Sequence, residues 1–352
     1  MVTATATLLY SVVVPVYNGG SDLKECVAAI QAAISPSSEL IVVDDGSTDG
    51  SFDVAKVLGA RVFSTGTRKG PGAARNVGAQ HAQGEYLIFI DADCLIRPDT
   101  LSKLQRLIRS NPEIDAVFGS YDDAPRDRGL ISQYKNLSHH YVHQVSSERA
   151  STFWAGCGCI KRSLFFQLGG FDTERFCRPS IEDIHLGYRA KLEGANIYLA
   201  KDIQVSHLKK WTLSNLIKTD VLRRGVPWTR LLLANRQCRV YELNLRLEQR
   251  LSVIAACFLP LAAFISIWFN EAALLVVSSS ILLYLLNRNF YMFLASKRGV
   301  PFTIACLPLH CLYFLYSGLS FALAFFQHCL DKTGAYRLST TRTPLKEMVL
   351  RH

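Results

Sequence analysis

The sequence has little regular cysteine spacing and no recognisable secretory leader. Of its ten cysteines, Cys157 and Cys159 form the closest pair, yet neither a second pair nor a nearby histidine completes a tetrahedral zinc set. We therefore interpret the cysteines as small packing residues in a reducing compartment. The first seven residues carry no basic side chain and the apolar run that follows is typical of a strand, so we expect no secretory signal and a cytosolic location for the N-terminal part.

The sequence also lacks an RNA-binding motif and an aromatic platform interleaved with basic residues, although its formal net charge is +10. The basic excess lies mostly just before and after the late apolar blocks. Such a distribution favours anionic lipid headgroups over a nucleic acid as the partner. We therefore predict a membrane protein that does not bind nucleic acid.

Three late stretches are almost free of charge, and the first of them, Leu251 to Phe269, has no charged residue. A run near twenty apolar residues is long enough to cross a bilayer. We predict transmembrane helices over 251–269, 272–295 and 303–327, followed by a basic polar tail over 331–352. Buried core helices are the alternative interpretation of the same runs.

The flank that precedes these blocks is strongly basic, which predicts that it lies on the cytoplasmic side. Residues 213–250 are expected to form a basic amphipathic segment at the membrane interface, with Trp228 as an aromatic anchor. Three crossings would then place the basic tail outside, against the charge rule. A bent third segment around Pro308 or a fourth short crossing within Val300 to Leu330 would resolve this conflict. The basic residues between positions 201 and 250 are Lys201, Lys209, Lys210, Lys218, Arg223, Arg224, Arg230, Arg236, Arg239, Arg246 and Arg250.

The first half of the chain has the pattern of an α/β domain. Apolar runs at 10–16 and 40–43 end in polar turns, and the segment from Asp22 to Ser35 has the spacing of a crossover helix. This arrangement predicts a right-handed βαβ unit over residues 10–45.

A third apolar run, Tyr86 to Ile90, leads directly into Asp91-Ala92-Asp93. Two carboxylates at the end of a buried strand lie where open α/β sheets bind ligands. Hard oxygen ligands suit Mg²⁺ or Mn²⁺ carrying a diphosphate, whereas a solvated turn is the ordinary alternative. Upstream, the segment Lys69 to Asn76 has small residues that allow close backbone approach, and Arg75 offers a fork of donors to a phosphate oxygen.

In this order, the V-V-V-P-V-Y-N strand, the D-D-G-S-T-D turn, the G-P-G-A-A-R-N segment and the D-A-D motif resemble the family 2 glycosyltransferases with a GT-A fold. The resemblance covers residues 8–225. It implies an α/β GT-A domain, facing the cytosol, that takes a sugar from a nucleotide diphosphate and passes it to an acceptor with inversion. With the late apolar blocks, the fold class expected is a GT-A domain with a C-terminal α-helical membrane region.

The resemblance also assigns roles to single residues. Asp93 is implied to bind the metal, Asp91 to hold the ribose or the metal, and Lys69 and Arg75 to clamp the phosphates. The remaining implied nucleotide-binding residues are Pro15, Tyr17, Asp44 and Asp45.

The acceptor half of the site is less uniform. Phe153 to Arg162 resembles the small-residue segment of the family, and Glu182-Asp183 resembles its E-D motif. An acceptor hydroxyl needs a base, and the resemblance makes Asp183 that base, with Glu182 as a neighbouring sugar or acceptor contact. Helix N-terminal charges are the plain alternative. A strand-like run from Ala195 to Leu199 and a turn precede His207. His207 is a candidate metal ligand, and a structural histidine is its alternative.

Several related activities remain open at this point. A processive synthase usually carries a Q-x-x-R-W signature, which the segment Val221 to Trp228 lacks, so we favour single transfer to a lipid-linked or membrane-proximal hydroxyl. A polyprenyl-phosphate sugar synthase is the near alternative. A sugar nucleotidyltransferase would need a phosphate loop that Pro15 to Gly20 does not provide. An inactive membrane scaffold would be expected to have lost Asp93 or Asp183, and both are present.

Overall fold

The computed structural model describes residues 9–235, 246–331, 334 and 336–338. These residues fall into two compact units. The sheet unit contains the chain up to Arg126 together with Ser147–Lys209, and the helical unit contains Asp127–Ser146 and Lys210–Arg337. The sheet unit therefore ends before position 225, the boundary expected from the resemblance, and residues 127–146 are grouped with the helical unit.

The sheet unit is built on one mixed sheet whose strand order is β3-β2-β1-β4-β8-β6-β9-β5, with β7 paired to β9. The half formed by β3, β2, β1 and β4 is parallel, as the βαβ pattern predicts. β8 then runs antiparallel to both β4 and β6. The strands are β1 (Tyr10–Val16), β2 (Ser38–Asp44), β3 (Arg61–Ser64), β4 (Tyr86–Ile90), β5 (Cys94–Ile96), β6 (Ala116–Tyr121), β7 (Arg149–Ala150), β8 (Cys157–Lys161) and β9 (Ile197–His207).

The central strands are apolar on both sides because helices cover both faces of the sheet. Val12 and Val14 of β1 pack into one core with Leu23 and Ile30, whereas Val13 packs into the opposite core. Alternate residues of one strand therefore face different layers. The helices of this unit are α1 (Gly20–Ala33), α2 (Ser51–Val57), α3 (Pro71–His81), α4 (Thr100–Ser110), α6 (Arg162–Gln167) and α7 (Glu182–Leu192).

One prediction about the strands was wrong. We expected a strand over 195–199, then a turn, and His207 beyond it, whereas β9 continues from Ile197 to His207. The register between β6 and β9 shifts between Phe118 and Ser120. Beyond this irregularity, the pairing of β6 with β9 resumes at Ser120 and Gln204. Lys201 and Asp202 therefore lie within β9 and do not end the strand.

Within the described part of the chain, the helical unit contains three helices that are long and apolar enough to cross a membrane, covering 247–265, 270–298 and 300–330. They overlap the three apolar blocks of the sequence. The helices of this unit are α5 (Leu130–Val145), α8 (Leu213–Lys218), a π-helical turn (Thr219–Gly225), α9 (Val226–Ala234), α10 (Leu247–Ile265), α11 (Ala273–Arg298) and α12 (Val300–Leu330), with a 3₁₀ turn at Asn270–Ala272.

α12 runs without interruption from Val300 to Leu330, and Pro308 lies inside it. A fourth crossing hidden in this range is therefore excluded, since one continuous helix cannot reverse direction. The segment expected at the membrane interface is helical from Leu213 to Ala234. Its middle is the π-helical turn, which ends just before Pro227, a residue that cannot donate a backbone hydrogen bond to the preceding turn. Most of the basic tail lies outside the described residues.

Candidate active site at the carboxyl edge of the sheet

Three adjacent parallel strands end at the same edge of the sheet, and two of them, β2 and β4, lead into acidic residues there. Val16, the last residue of β1, pairs with Asp44, the last residue of β2. The N–H of Asp45 donates to the carbonyl of Val16 at 2.7 Å. β4, on the other side of β1, leads into Asp91. Parallel topology therefore collects the carboxylates that are far apart in the sequence.

Asp45 holds the loop that precedes α3. One of its oxygens accepts from the Thr65 hydroxyl at 2.9 Å and the Lys69 N–H at 2.8 Å, and the other accepts from the Gly70 N–H at 2.8 Å. Gly70 has a φ of +96°, and a Cβ there would lie 2.7 Å from the carbonyl oxygen of Cys177. Only glycine fits this position without strain.

The nucleotide-binding residues predicted on the first two strands lie at this edge. Pro15 is buried within β1, and Tyr17 is exposed just beyond that strand. The Arg68 guanidinium lies 3.8 Å from the centroid of the Tyr17 ring. Asp44 accepts from the Ser47 N–H at 3.2 Å and so shapes the turn after β2. Tyr17 thus offers an exposed aromatic surface next to a cation, a combination suited to a planar base and an anionic group.

Arg75 is the buried centre of the site. Its Nη2 lies 2.6 Å from Asp91 Oδ1, and its Nη1 lies 3.1 Å from Glu182 Oε1. Burial alone would lower the pKa of Arg75, but the two carboxylates outweigh burial and raise it. The guanidinium therefore ties the end of β4 to the start of α7. The expected role of Arg75 as a direct phosphate clamp stays a prediction, since these contacts give it two carboxylate partners.

Glu182 and Asp183 share the start of α7 but differ in environment. Glu182 is 5% exposed, and its second oxygen accepts from the Ser180 N–H at 2.8 Å. Asp183 is half-buried and accepts from the N–H groups of Ala155 at 3.3 Å and Ile184 at 2.8 Å. Burial and the adjacent Glu182 raise the pKa of Asp183 to about 6, against the lowering effect of Arg75. Asp183 therefore has the accessibility and the proton affinity of a base.

Asp93 and His207 form the second part of the site. Asp93 Oδ2 lies 3.7 Å from His207 Nε2, longer than a direct hydrogen bond. They meet because β5 and β9 are antiparallel with Cys94 opposite His207. Burial raises the pKa of Asp93, but the neighbouring His207 and the Lys209 ammonium outweigh burial and leave that pKa below its usual value.

This pair is a suitable start for a cation site. Mg²⁺ in enzymes is commonly bound by one or two carboxylates, with substrate phosphates and water completing the shell, and imidazole is a competent ligand of Mn²⁺. Among the residues that the structure describes, no group of three or more His, Cys, Asp or Glu side chains could hold a metal by itself. Asp93 and His207 could supply two ligands to a cation whose remaining ligands come from phosphates or water.

Two aromatic residues support His207, and the sequence reasoning did not assign them a role. The Tyr121 ring stacks on the His207 ring with a centroid distance of 4.3 Å, and the edge of Trp154 meets Tyr121 at 4.7 Å. Such contacts restrict the imidazole to one orientation. Trp154 stands in the predicted acceptor segment, so its position was a signal, whereas Tyr121 at the end of β6 carried none.

Lys69 and the two cysteines of β8 are the remaining residues singled out by the sequence. Lys69 is exposed at the loop that Asp45 holds, and its backbone is the part engaged by that carboxylate. Cys157 and Cys159 are buried in β8, in agreement with a packing role. The edge thus brings together the carboxylates, Arg75, Lys69 and His207.

Comparison with known proteins agrees with this arrangement. Residues 11–169 match the model of glycosyl transferase family 2. Glycosyltransferase GlyG of Streptococcus pneumoniae is 35% identical over 162 residues, which are 45% of this chain and 54% of that protein. An uncharacterized glycosyltransferase of Haemophilus influenzae is 37% identical over 118 residues, 32% of this chain and 47% of that protein. The chain thus spans about half the length of these curated relatives.

The fold has a counterpart among solved structures. The mannosyltransferase PcManGT from Pyrobaculum calidifontis, determined in complex with GDP-Man and Mn²⁺, superimposes with a TM-score of 0.53 at 19% identity, covering 92% of this chain and 87% of that one. At this identity the likeness concerns the fold, which is that of the GT-A glycosyltransferases. The match across residues 11–169, which is slightly less than half of the chain, makes this part of the protein similar to glycosyl transferase family 2.

Proposed function

We propose that the protein is an inverting glycosyltransferase that moves a sugar from a nucleotide-diphosphate donor to a hydroxyl of a lipid-linked or membrane-proximal acceptor. One observation carries the proposal. Arg75 joins Asp91, at the strand end where a donor would lie, to Glu182, the direct neighbour of the half-buried Asp183. This ion-pair bridge supports a role for Asp183 as the base, next to the strand end proposed to receive the donor.

The donor half of the proposed site uses Tyr17, Asp44 and Asp45 for the nucleoside and Lys69 for the phosphates. Asp93 and His207 would hold a divalent cation, with Asp91 near them at the same strand end. When bound, such a cation offsets the negative charge that builds on the departing diphosphate. The Mn²⁺ and nucleotide sugar in the Pyrobaculum mannosyltransferase complex support this assignment.

The acceptor half uses Asp183. The acceptor oxygen attacks the anomeric carbon while the bond from that carbon to the diphosphate oxygen breaks, and the hydroxyl proton passes to Asp183. Attack opposite the leaving group in a single displacement inverts the anomeric centre. Glu182 is buried against Arg75, so in this proposal it positions the start of α7 and does not contact the sugar.

The environment of Asp183 favours a hydroxyl acceptor over a polyprenyl phosphate. A phosphate is already an anion at neutral pH and needs orientation more than proton removal. Asp183 has a pKa of about 6, which lets it be ionised at pH 7 and still accept a proton. An exposed aspartate with an ordinary pKa would be a weaker base and would give no reason to prefer a hydroxyl acceptor over a phosphate.

We further propose that the helical unit is embedded in the cell membrane as a multi-pass segment, with the sheet unit on the cytoplasmic side. Three helices of sufficient length and apolarity support the attachment. The basic side chains between positions 201 and 250 support the orientation. With three crossings, the C-terminal tail would lie on the outer side.

The test compares Asp183→Asn with Asp53→Asn, a matched change at an exposed residue of α2. Each full-length variant is incubated with a panel of nucleotide sugars and extracted membrane lipids, and products are measured by mass spectrometry. Asp183→Asn should bind nucleotide sugar normally but lose on the order of a hundredfold or more in rate. The control should keep full activity.

A change in stability separates loss of the base from damage to the fold. Because burial raises the pKa of Asp183, its charge destabilises the folded state at neutral pH, and Asp183→Asn should melt at the same temperature as the wild type or higher. Near-normal turnover by this variant would contradict the hydroxyl acceptor and favour a phosphate acceptor. Absence of any transfer by the wild-type protein with the whole panel would contradict the proposed activity.

A further inference from the structure

The helical unit contains a cavity of about 180 Å³, lined by side chains of α5, the π-helical turn, α10, α11 and α12. This volume is far above the roughly 15 Å³ that one water molecule requires. No residue of the candidate active site lines it. The cavity is therefore separate from the candidate active site.

A buried ion pair forms one wall of this cavity. The Lys135 ammonium donates to both oxygens of Asp220 at 2.6 and 2.9 Å, and both side chains are 9% exposed. The Tyr316 hydroxyl donates to the same carboxylate at 2.8 Å. Burying such a pair among apolar helices is costly. Asp220 also stands in a π-helical turn, an irregularity that is frequent at functional sites.

The formal charges of the wall cancel. Its cationic residues Lys135 and Arg246 are balanced by the carboxylates of Asp220 and Glu248. His139, also in the wall, contacts the Arg224 guanidinium at 3.0 Å. Among the lining residues that the structure describes, a phosphate would therefore meet two carboxylates and no excess of cations, since Arg224 lies behind His139 and does not itself line the cavity. The charge pattern therefore favours a neutral ligand.

The other wall residues combine aromatic rings with hydroxyl and amide groups. A tyrosine offers an apolar ring and a polar tip, and an amide side chain both donates and accepts hydrogen bonds. Together they suit a carbon frame that carries several hydroxyl groups. These residues are Tyr134, Tyr141, Gln249, Asn287, Tyr313 and Tyr316.

We propose that this cavity binds the neutral, hydroxyl-rich headgroup of a membrane lipid. A lipid is the ligand class because three helices of this unit are long and apolar enough to span a bilayer, and acyl chains match their apolar surfaces. Binding needs no nucleotide sugar, so the proposal stands apart from the proposed transfer reaction.

The experiment uses the full-length protein in phosphatidylcholine vesicles that contain equal amounts of monogalactosyl diacylglycerol and phosphatidic acid, without nucleotide sugar. The lipids that remain bound after purification are counted by native mass spectrometry. Galactolipid should be retained in preference to phosphatidic acid. Tyr313→Phe should weaken that retention roughly two- to tenfold, the range for loss of one hydrogen bond.

The matched control is Tyr284→Phe, which removes a hydroxyl from a 55% exposed tyrosine of α11 that does not line the cavity. It should leave galactolipid retention unchanged. Equal losses in both variants would overturn the assignment to this cavity, as would unchanged retention in Tyr313→Phe. Preferential retention of phosphatidic acid, or of neither lipid, would overturn the neutral headgroup.

A second variant keeps the test independent of folding at Tyr313. Glu248 is exposed at the cavity rim, and Glu248→Gln leaves one uncompensated cation in the wall. Retention of phosphatidic acid should then rise relative to the wild type. If Glu248→Gln leaves the ratio of the two lipids unchanged, the charge-balance argument is wrong. Because no donor is present, an inactive transferase would not alter either result.

Discussion

Arg75→Met tests whether the buried bridge between Asp91 and Glu182 holds the site together. The variant keeps the length of the side chain and leaves Glu182, 5% exposed, without its counter-charge. Breaking a buried ion pair by removing one partner costs about 3–5 kcal/mol. Asp91 adds little to this figure, because its side chain is 31% exposed and water replaces part of the interaction.

The expected effect is large enough to measure by thermal unfolding. For a unit of this size, 1 kcal/mol shifts the midpoint by roughly 2–4 °C, so Arg75→Met should lower it by roughly 6–20 °C. The assay follows tryptophan fluorescence of the full-length protein in detergent. The matched control is Arg126→Met, which removes two surface pairs, one with Asp22, whose side chain is 33% exposed, and one with Glu25, whose side chain is 47% exposed. Each of these pairs should contribute only about 0–1 kcal/mol.

A double variant makes the prediction refutable. Glu182→Gln removes the buried charge that Arg75→Met leaves behind, so the pair of changes together should cost less than Arg75→Met alone. The two effects are then strongly non-additive. If they add within about 0.5 kcal/mol, the two residues are energetically independent and the bridge does not stabilise the site.

Three further predictions concern pH, metal and membrane. Asp183 must be ionised to act and has a pKa of about 6, so kcat/KM should fall about tenfold per pH unit below pH 6 and be level above it. Stability should instead increase as the pH falls through this range, because the folded state binds the additional proton. A flat rate profile in stopped assays would contradict the role of Asp183. Asp93→Ala should keep the fold and lose nearly all transfer, and full activity of this variant in chelator would refute the metal role. The protein should stay in the membrane pellet after alkaline carbonate extraction, and release by high salt alone would show that the basic flank holds it.

The parallel half of the sheet could be predicted because its strands are short apolar runs that end in polar turns. Tyr10–Val16, Ser38–Asp44 and Tyr86–Ile90 are buried on both faces, so burial and sequence pattern agree. The acidic residues that follow β2 and β4 meet because parallel strands share one carboxyl edge. The positions of Asp45 and Asp91 follow from this rule alone.

The partners of Arg75 could not be predicted in the same way. Glu182 lies 107 positions away in the sequence, and no local pattern links α3, the helix that carries Arg75, to the start of α7. The stacking of Tyr121 on His207 likewise depends on how β6 and β9 pair. The bulge in that pairing also hid the true length of β9, since Lys201 and Asp202 look like turn residues.

The organisation of the helical unit was hidden for another reason. α5 is rich in polar residues and resembles no membrane segment, yet Tyr134 and Leu137 pack into one core with Phe290 and Leu294 of α11. α5 belongs to the helical unit because one of its faces is buried against that unit, and a count of apolar residues does not detect a single buried face. The same face supplies Lys135 to the ion pair with Asp220.

The contacts of Asp45 have a consequence for how a donor would be received. Three groups of the loop between β3 and α3 are already fixed by this one buried carboxylate in the free protein. A segment that is ordered beforehand loses little conformational entropy when a ligand arrives. Donor affinity at this edge would then depend mainly on the contacts formed. Asp45 would contribute to donor binding by keeping the loop rigid, without contacting the sugar.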